Sequence, residues 1–407
     1  MDFDDTPEEA AFRAQARTWL EGHAPPLVHD GTRRSPWGSG DEDGHVRRCK
    51  DWQRTLFDGG WAGITWPEEY GGRGATATQA AIFAQEQSHF DVSSGVFAVG
   101  IGMVGPTLMG HGTPEQKERF LGPLLRGEEV WCQLFSEPGA GSDLAGLSTR
   151  AVRDGDEWVV NGQKVWNSGA HLSDWGILLT RSDPSQPKHR GITYFLVDMR
   201  TPGIDVRPLR QITGEAHFNE VFLSDVRIPA TNVVGDVDNG WRVAQTTLAN
   251  ERTLIGGGGG GGGFEDLAGL ARQTGGAGNA TLRQELAAAY TRYQLVRYLG
   301  YRIQTALSRG EAPGPESSVV KLLVSQHQSR TADLVAALQG TAATLGGGDA
   351  TAGGFWHSFF LNQFASRIGG GTDQIQRNII GERVLGLPRE PSVDRDVPFS
   401  ELAARRS

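Results

Sequence analysis

Two short strings carry most of the side chains that could hold a reactive ring: SEPGAGSD at 136–143 and GQKVWNSG at 162–169. In the first, Pro138 fixes one backbone angle, while Gly139 and Gly141 let the chain turn and approach a ligand closely. Ser136, Ser142 and the backbone N–H groups around them are donors suited to an electron-rich heterocycle. In the second, Trp166 offers a broad flat face and Ser168 another hydroxyl. A polar turn joining two strands would contain the same residues, so composition alone leaves both readings open.

Acid–base chemistry has one prominent candidate, Glu251 beside Arg252 in LANERTL. A carboxylate in an apolar pocket gains proton affinity and can act as a general base; the plain alternative is a helix-surface acid. The eight glycines of Gly256–Gly263 satisfy GxGxxG trivially. No strand precedes them and no ribose-binding acid follows, so a dinucleotide fold is rejected. Either they are a flexible linker, or their missing side chains leave room for a bulky group. On residues alone, Thr372 reads as a helix N-cap and Gln374 as a surface amide. Glu86 and His89 read as a polar pair at helical spacing among buried helices.

The elements that must position these groups follow from periodicity. Thr6-Pro7-Glu8-Glu9 is a helix start with a capping box, followed by Phe12, Ala16, Trp19 and Leu20 on one face. Residues 29–44 read as an exposed loop, and helical patterning resumes from about His45 to Asp58. Gly112 can end one helix, with Thr113 and Pro114 beginning the next. After Trp131 the period becomes two: 149–153 and 157–165 flank the turn pair Asp154-Gly155, and further strands are expected at 175–181, 191–199, 204–209 and 217–228. Helical stripes return from Gly240, with Leu282, Leu286, Tyr293 and Val296 on one long helix, and end near Gly386-Leu387-Pro388. The expected organisation is a helical domain at 1–130, a compact antiparallel β-domain at 131–237 and a helical bundle at 238–407.

Bulk properties narrow the function. A 407-residue chain with net charge −9 does not present an extended nucleic-acid footprint. Two cysteines, Cys49 and Cys132, make neither a disulfide framework nor a zinc motif. The acidic start MDFDDTPEEA is unlike a signal peptide, and no apolar run is long enough to span a bilayer, so a cytoplasmic protein is expected.

The strings SEPGAGSD and GQKVWNSG, in that order and at that separation, resemble the flavin-binding segments of the acyl-CoA dehydrogenase family, which read close to TEPGAGSD and GQKxWITN. Trp61–Gly72 resembles the family's GWxGxxWPxxYGG connection, and Gly112–Lys117 its GTxEQK string. The resemblance spans nearly the whole chain. It implies an α+β fold with an N-terminal helical domain, a central β-domain and a C-terminal four-helix bundle. It also implies an FAD cradle of Gln133, Phe135, Ser136, Gly141, Ser142, Trp166, Asn167 and Ser168, with Thr372 and Gln374 matching positions that contact the flavin nucleotide. Ser142 is further implied in touching an acyl-CoA thioester, and an electron-transfer flavoprotein is the implied acceptor.

Dehydrogenating an acyl thioester needs a base for the α proton and an acceptor for the β hydride, with the carbonyl oxygen held as enolate charge develops. Family members place the base Glu near the C-terminus, in a string close to YEGTxQIQR, or on an earlier helix, in LDxERxxxA. Here Gly370 of GGGTDQIQR stands at the first location, while Glu251 of LANERTL matches the second. The resemblance therefore assigns Glu251 as base and Arg252 to orient it or shape the acyl pocket. An RxxFG segment that contacts the FAD pyrophosphate of a neighbouring subunit is missing between Phe264 and Tyr290, which favours a heteromer of two related chains over a homo-oligomer. Two other readings use the same fold: a non-catalytic subunit completing a partner's site, and an oxygen-using flavin oxidase or N-oxygenase.

Overall fold

The described residues, in a computed structural model, are 5–27, 41–257, 263–309, 314–315, 317–391 and 394–404; of 252–257 only the backbone is described. The N-terminal third is helical: α1 (Pro7–His23), α2 (Glu42–Asp58), α3 (Ala77–Gln87), α4 (Gly105–His111) and α5 (Pro114–Leu125). Local chemistry sets their starts. Thr6 and Glu9, Thr76 and Gln79, and Thr113 and Gln116 each form a reciprocal capping box, and Pro7 and Pro114 occupy first-turn positions. Phe12, Ala16 and Leu20 are the buried face of α1.

Immediately before α4, Gly100–Val104 forms a π turn. Pro106 lacks an N–H and its ring would crowd the carbonyl four residues back in a regular helix, so the widened turn accommodates it. The expected Glu86–His89 pair does not form. Glu86 is buried and accepts instead from Arg13 (2.9 Å) and Arg17 (2.8 Å) of α1, while His89 is exposed. Spacing along one helix could not reveal partners on another.

The central strands are β1 (Trp131–Leu134), β2 (Arg150–Asp154), β3 (Glu157–Val165), β4 (Trp175–Arg181), β5 (Ile192–Asp198), β6 (Ile204–Leu209) and β7 (Phe218–Pro229). They form one sheet in the order β1-β4-β2-β3-β7-β6, with β5 pairing β4. Most neighbours are antiparallel, but β2 meets β4 in parallel at Arg150 and Arg181, and β1 runs parallel to β4, Trp131 opposite Trp175. That pairing departs from a purely antiparallel expectation because it joins strands about 40 residues apart, and strand periodicity says nothing of direction.

Period-two alternation divides the sheet's side chains between two cores. Ile177, Leu179, Tyr194 and Leu196 join the N-terminal helices in one core. Leu178, Phe195 and Val197 pack with Cys132, Leu134 and Trp158 in the other. Both cysteines are buried and free, and burial pushes the Cys132 thiol up to about 12.

The third part contains α6 (Gly240–Gly257), α7 (Phe264–Gln273), α8 (Ala280–Ser308), α9 (Ser317–Gln339), α10 (Phe355–Ser366) and α11 (Asp373–Ile379). Leu267, Leu270, Leu286, Leu334, Leu338 and Trp356 form its core. Of the stripe expected on α8, Leu286 is buried but Tyr293 faces outward. A last segment returns to the β-domain, where Phe399 N–H donates to Gln186 O and Lys188 bridges Asp143 and Asp394. No described helix is long and apolar enough to cross a membrane, and no described His, Cys, Asp or Glu cluster could hold a metal ion.

Candidate active site

The turn after β1 is anchored from below and open above. Glu137 and Ala140 exchange backbone hydrogen bonds of 3.1 and 3.0 Å around Pro138-Gly139. The Glu137 carboxylate points inward, where it accepts from Lys164 Nζ (2.8 Å), Ser148 N (2.7 Å), Ser148 Oγ (2.9 Å) and Thr149 N (2.9 Å). Lys164, fully buried, also donates to Phe135 O (3.0 Å). Burial alone would raise the carboxyl pKa of Glu137. The Lys164 charge and these hydrogen bonds outweigh it and hold the group down to about 2. Burial likewise draws the Lys164 ammonium downward, against the opposing pull of Glu137.

Above this anchor, Pro138, Gly139, Gly141 and Ser142 are exposed. A Cβ placed on Gly139 or Gly141 would meet nothing within 4 Å. These two glycines therefore leave space above the turn that the chain itself does not fill.

The second string docks onto the first. Val165 N–H donates to Ser136 O (2.9 Å) and Asn167 Nδ2 to Gln133 O (2.8 Å). Asn167 N–H donates to Asn219 O, and Asn219 Nδ2 to Asn167 O (2.8 Å). Gln133, Phe135, Ser136, Trp166, Asn167 and Ser168 are thus brought together. Asn167 Oδ1 is buried without a partner.

Trp166 has φ +63°, in the left-handed region that bulky residues avoid, and its indole is 62% exposed, edge-on to Phe218. A strained, outward-facing indole beside an open glycine turn and an unpartnered amide oxygen suits a flat ring with hydrogen-bonding edges. These residues fit a flavin.

Glu251 lies on α6, whose flank is fixed against the N-terminal domain. One turn earlier, Thr247 Oγ1 is 2.9 Å from Thr107 Oγ1 and 3.2 Å from the buried Tyr194 hydroxyl. Thr246 pairs with His111 Nε2 at 2.8 Å. On another side α6 packs on α9. There Lys321 is buried and donates to Ser366 O (3.0 Å) and Gly371 O (2.6 Å). Burial lowers the Lys321 pKa, opposed by the charges of Asp373 and Glu251. Half-buried Glu251 is therefore in electrostatic reach of the lysine that holds the Gly370–Gly371 loop. The Arg252 side chain and Gly258–Gly262 lie outside the described residues.

The loop itself is built for glycine. Gly370 has φ +66° and Gly371 φ +91°. Gln376 Nε2 donates to Gly370 O (3.0 Å), and a Cβ on Gly371 would stand 2.6 Å from that same nitrogen. Gly371→Ala is expected to cost about 1–3 kcal/mol, combining left-handed strain with displacement of the amide, read as a lower thermal midpoint. Thr372 caps α11, accepting from Ile375 N–H at 3.2 Å, and Gln374 is exposed. Among the described residues no hydrogen bond joins Thr372 or Gln374 to the 133–168 segment.

Lys321, Lys164 and Glu137 were not singled out by type or spacing. One signal was available for Lys164: it falls on the inward face of β3 with Trp158 and Val160, where an alternating strand otherwise places apolar groups.

Comparison with known proteins bears on this arrangement. Three successive stretches match the acyl-CoA dehydrogenase N-terminal domain (6–128), middle domain (132–226) and C-terminal domain (238–385). The acyl-CoA dehydrogenase IpdE1 of Mycobacterium tuberculosis is 40% identical over 384 residues, covering 93% of this chain and 98% of that protein. Among solved structures, the Tcur3481-Tcur3483 steroid ACAD has a TM-score of 0.81 at 30% identity, covering 96% of this chain and 100% of that one. The ChsE4-ChsE5 complex from M. tuberculosis has a TM-score of 0.76 at 28% identity, covering 96% and 100%. With all three domains matched and a cradle that fits flavin, the chain belongs to the acyl-CoA dehydrogenase family of FAD-dependent oxidoreductases.

Proposed function

We propose that the protein forms the α,β-double bond of a bulky, ring-containing acyl-CoA, with Glu251 as the base that removes the α proton. The observation that supports this reading most is the packing of α6, which carries Glu251, on α9, whose Lys321 holds a Gly370–Gly371 loop with a left-handed backbone that strains a glutamate. A glutamate at 370 would be strained, and the nearby carboxylate comes from α6 instead.

Glu251, on α6 one turn beyond the Thr107–Thr247 contact, holds the proton once it is abstracted. When bound, FAD supplies the acceptor for the hydride of the β carbon. Trp166, Asn167 and Ser168 would hold its ring, with Ser142 and Arg252 serving the acyl thioester and Thr372 and Gln374 the nucleotide. The ring-containing substrate is supported by the steroid ACAD among the similar structures.

The working unit is an oligomer with a related chain. The C-terminal bundle exposes the apolar side chains Tyr290, Leu295 and Tyr298 on α8 and Phe364 and Ile368 at the end of α10, which a partner could bury. Two of the similar structures carry paired names, Tcur3481-Tcur3483 and ChsE4-ChsE5. An electron-transfer flavoprotein takes the electrons onward.

Purification of the chain alone and with candidate partner chains tests the reading. The expected result is bound FAD that bleaches on anaerobic addition of a ring-containing acyl-CoA, with turnover sustained by an electron-transfer flavoprotein. Peroxide formation at the turnover rate would establish an oxidase instead. No bleaching in any flavin-loaded complex would leave this chain a structural subunit.

A further inference from the structure

Beside the π turn Gly100–Val104, on ground the reaction as drawn does not use, a cavity of about 260 Å³ opens between α2, α3 and the residues before α4. Leu56, Trp61, Phe97 and Ile101 give it apolar walls, and Gly102 leaves one side without a side chain. An apolar cavity of about 150 Å³ is enough to admit benzene, so this one has room for fused rings.

Its polar lining consists of Gln53, Gln87 and Ser94, with no charged group. Gln53 Nε2 is already held by Leu125 O at 2.8 Å. Ser94 differs: its carbonyl accepts from Phe97 N–H (2.9 Å), yet its hydroxyl makes no cap and is buried without a hydrogen-bond partner. A buried hydroxyl left unpaired is disfavoured unless something else satisfies it. The same π turn packs against α6, which carries Glu251 four residues beyond the Thr107–Thr247 contact.

Resting on the dehydrogenase reading above, we infer that this cavity receives the distal rings of the acyl group and that Ser94 selects a ring oxygen, a ketone or a hydroxyl, at the end remote from the thioester. The apolar walls account for the rings, the absence of charge excludes a distal carboxylate, and the unpartnered hydroxyl accounts for the oxygen. A site built to hydrogen-bond such an oxygen discriminates against the analogue lacking it, because its own polar group is then stranded.

The test compares two CoA thioesters with the same fused bicyclic skeleton, one bearing a ring ketone remote from the thioester and one deoxygenated. Dissociation constants are measured by calorimetry on the assembled protein with its FAD already reduced, so binding is read without turnover. Ser94→Ala is expected to shrink the preference for the ketone by about tenfold, whereas Ser94→Thr, which keeps a hydroxyl, retains most of it. An unchanged preference in Ser94→Ala, or no preference in the unaltered protein, overturns the inference. Because this is a binding ratio, it stands apart from the dehydrogenase reading, which is decided by flavin bleaching with the same two thioesters.

Discussion

Glu251→Gln is expected to lower the rate of acyl-CoA-dependent flavin reduction by about 10²–10⁴-fold, the range for loss of a positioned general base. Glutamine keeps the shape and a polar end but cannot take the α proton. Flavin content and acyl-CoA affinity should change little, because Glu251 lies on α6 and the proposed flavin cradle centres on 133–168. Stopped-flow bleaching separates these quantities. A variant that bleaches at the unaltered rate while retaining FAD would remove Glu251 from the mechanism. A variant that loses FAD would point to a structural contribution through Lys321, whose charge is balanced partly by Glu251. The Glu251→Asp variant adds a graded control, retaining the carboxylate one methylene short.

The second large effect concerns stability. Lys164→Met should destabilise the β-domain by about 3–5 kcal/mol, the cost of removing one member of a buried ion pair. What remains is a buried Glu137 carboxylate with only Ser148 and Thr149 to satisfy it. Glu137→Gln with Lys164→Met should recover part of that loss, since no charge is then stranded. The midpoint of chemical unfolding, followed by tryptophan fluorescence, reports both.

The pair also has a pH signature. Glu137 has a folded pKa of about 2, below its ordinary value of 4.5, so its contribution is fully present above pH 4.5 and drains away as pH falls towards 2. The unaltered protein should therefore lose stability through that window more steeply than Glu137→Gln, which has no carboxyl to protonate there.

The sequence displays local structure well. Thr113-Pro114 with Gln116 announces the start of α5, and the structure forms that capping box. Alternation over 157–165 announces β3, and one face of it is buried. What sequence hides is partnership between distant residues. Glu86 looks towards His89 at helical spacing but pairs with Arg13 and Arg17 of another helix. β1 finds β4 in parallel register across more than three dozen residues. The candidate site follows the same division. The two flavin-associated strings are legible as strings, yet Lys164 reads as a polar strand residue until Glu137 is seen beneath the turn. Glu251 could be paired with the empty place at Gly370 by resemblance, but Lys321, which links α6, α9 and the glycine loop, lies about 70 residues from Glu251 and about 50 from Gly371. Its position at the head of α9 gives no sign of that role.

Trp166 and Lys164 sit two residues apart yet answer to different demands, and this bears on how copies of such a gene would diverge. Lys164 secures the fold, so any duplicate that still folds must keep it or replace the pair together. Trp166 works against the fold on two counts, an exposed indole and a positive φ that glycine or asparagine would occupy with less strain. On the flavin role proposed for Trp166, position 166 should drift first in a duplicate released from catalysis, while positions 137 and 164 stay fixed. The residue at 166 then becomes a marker, readable from a genome alone, of whether a related chain still handles flavin.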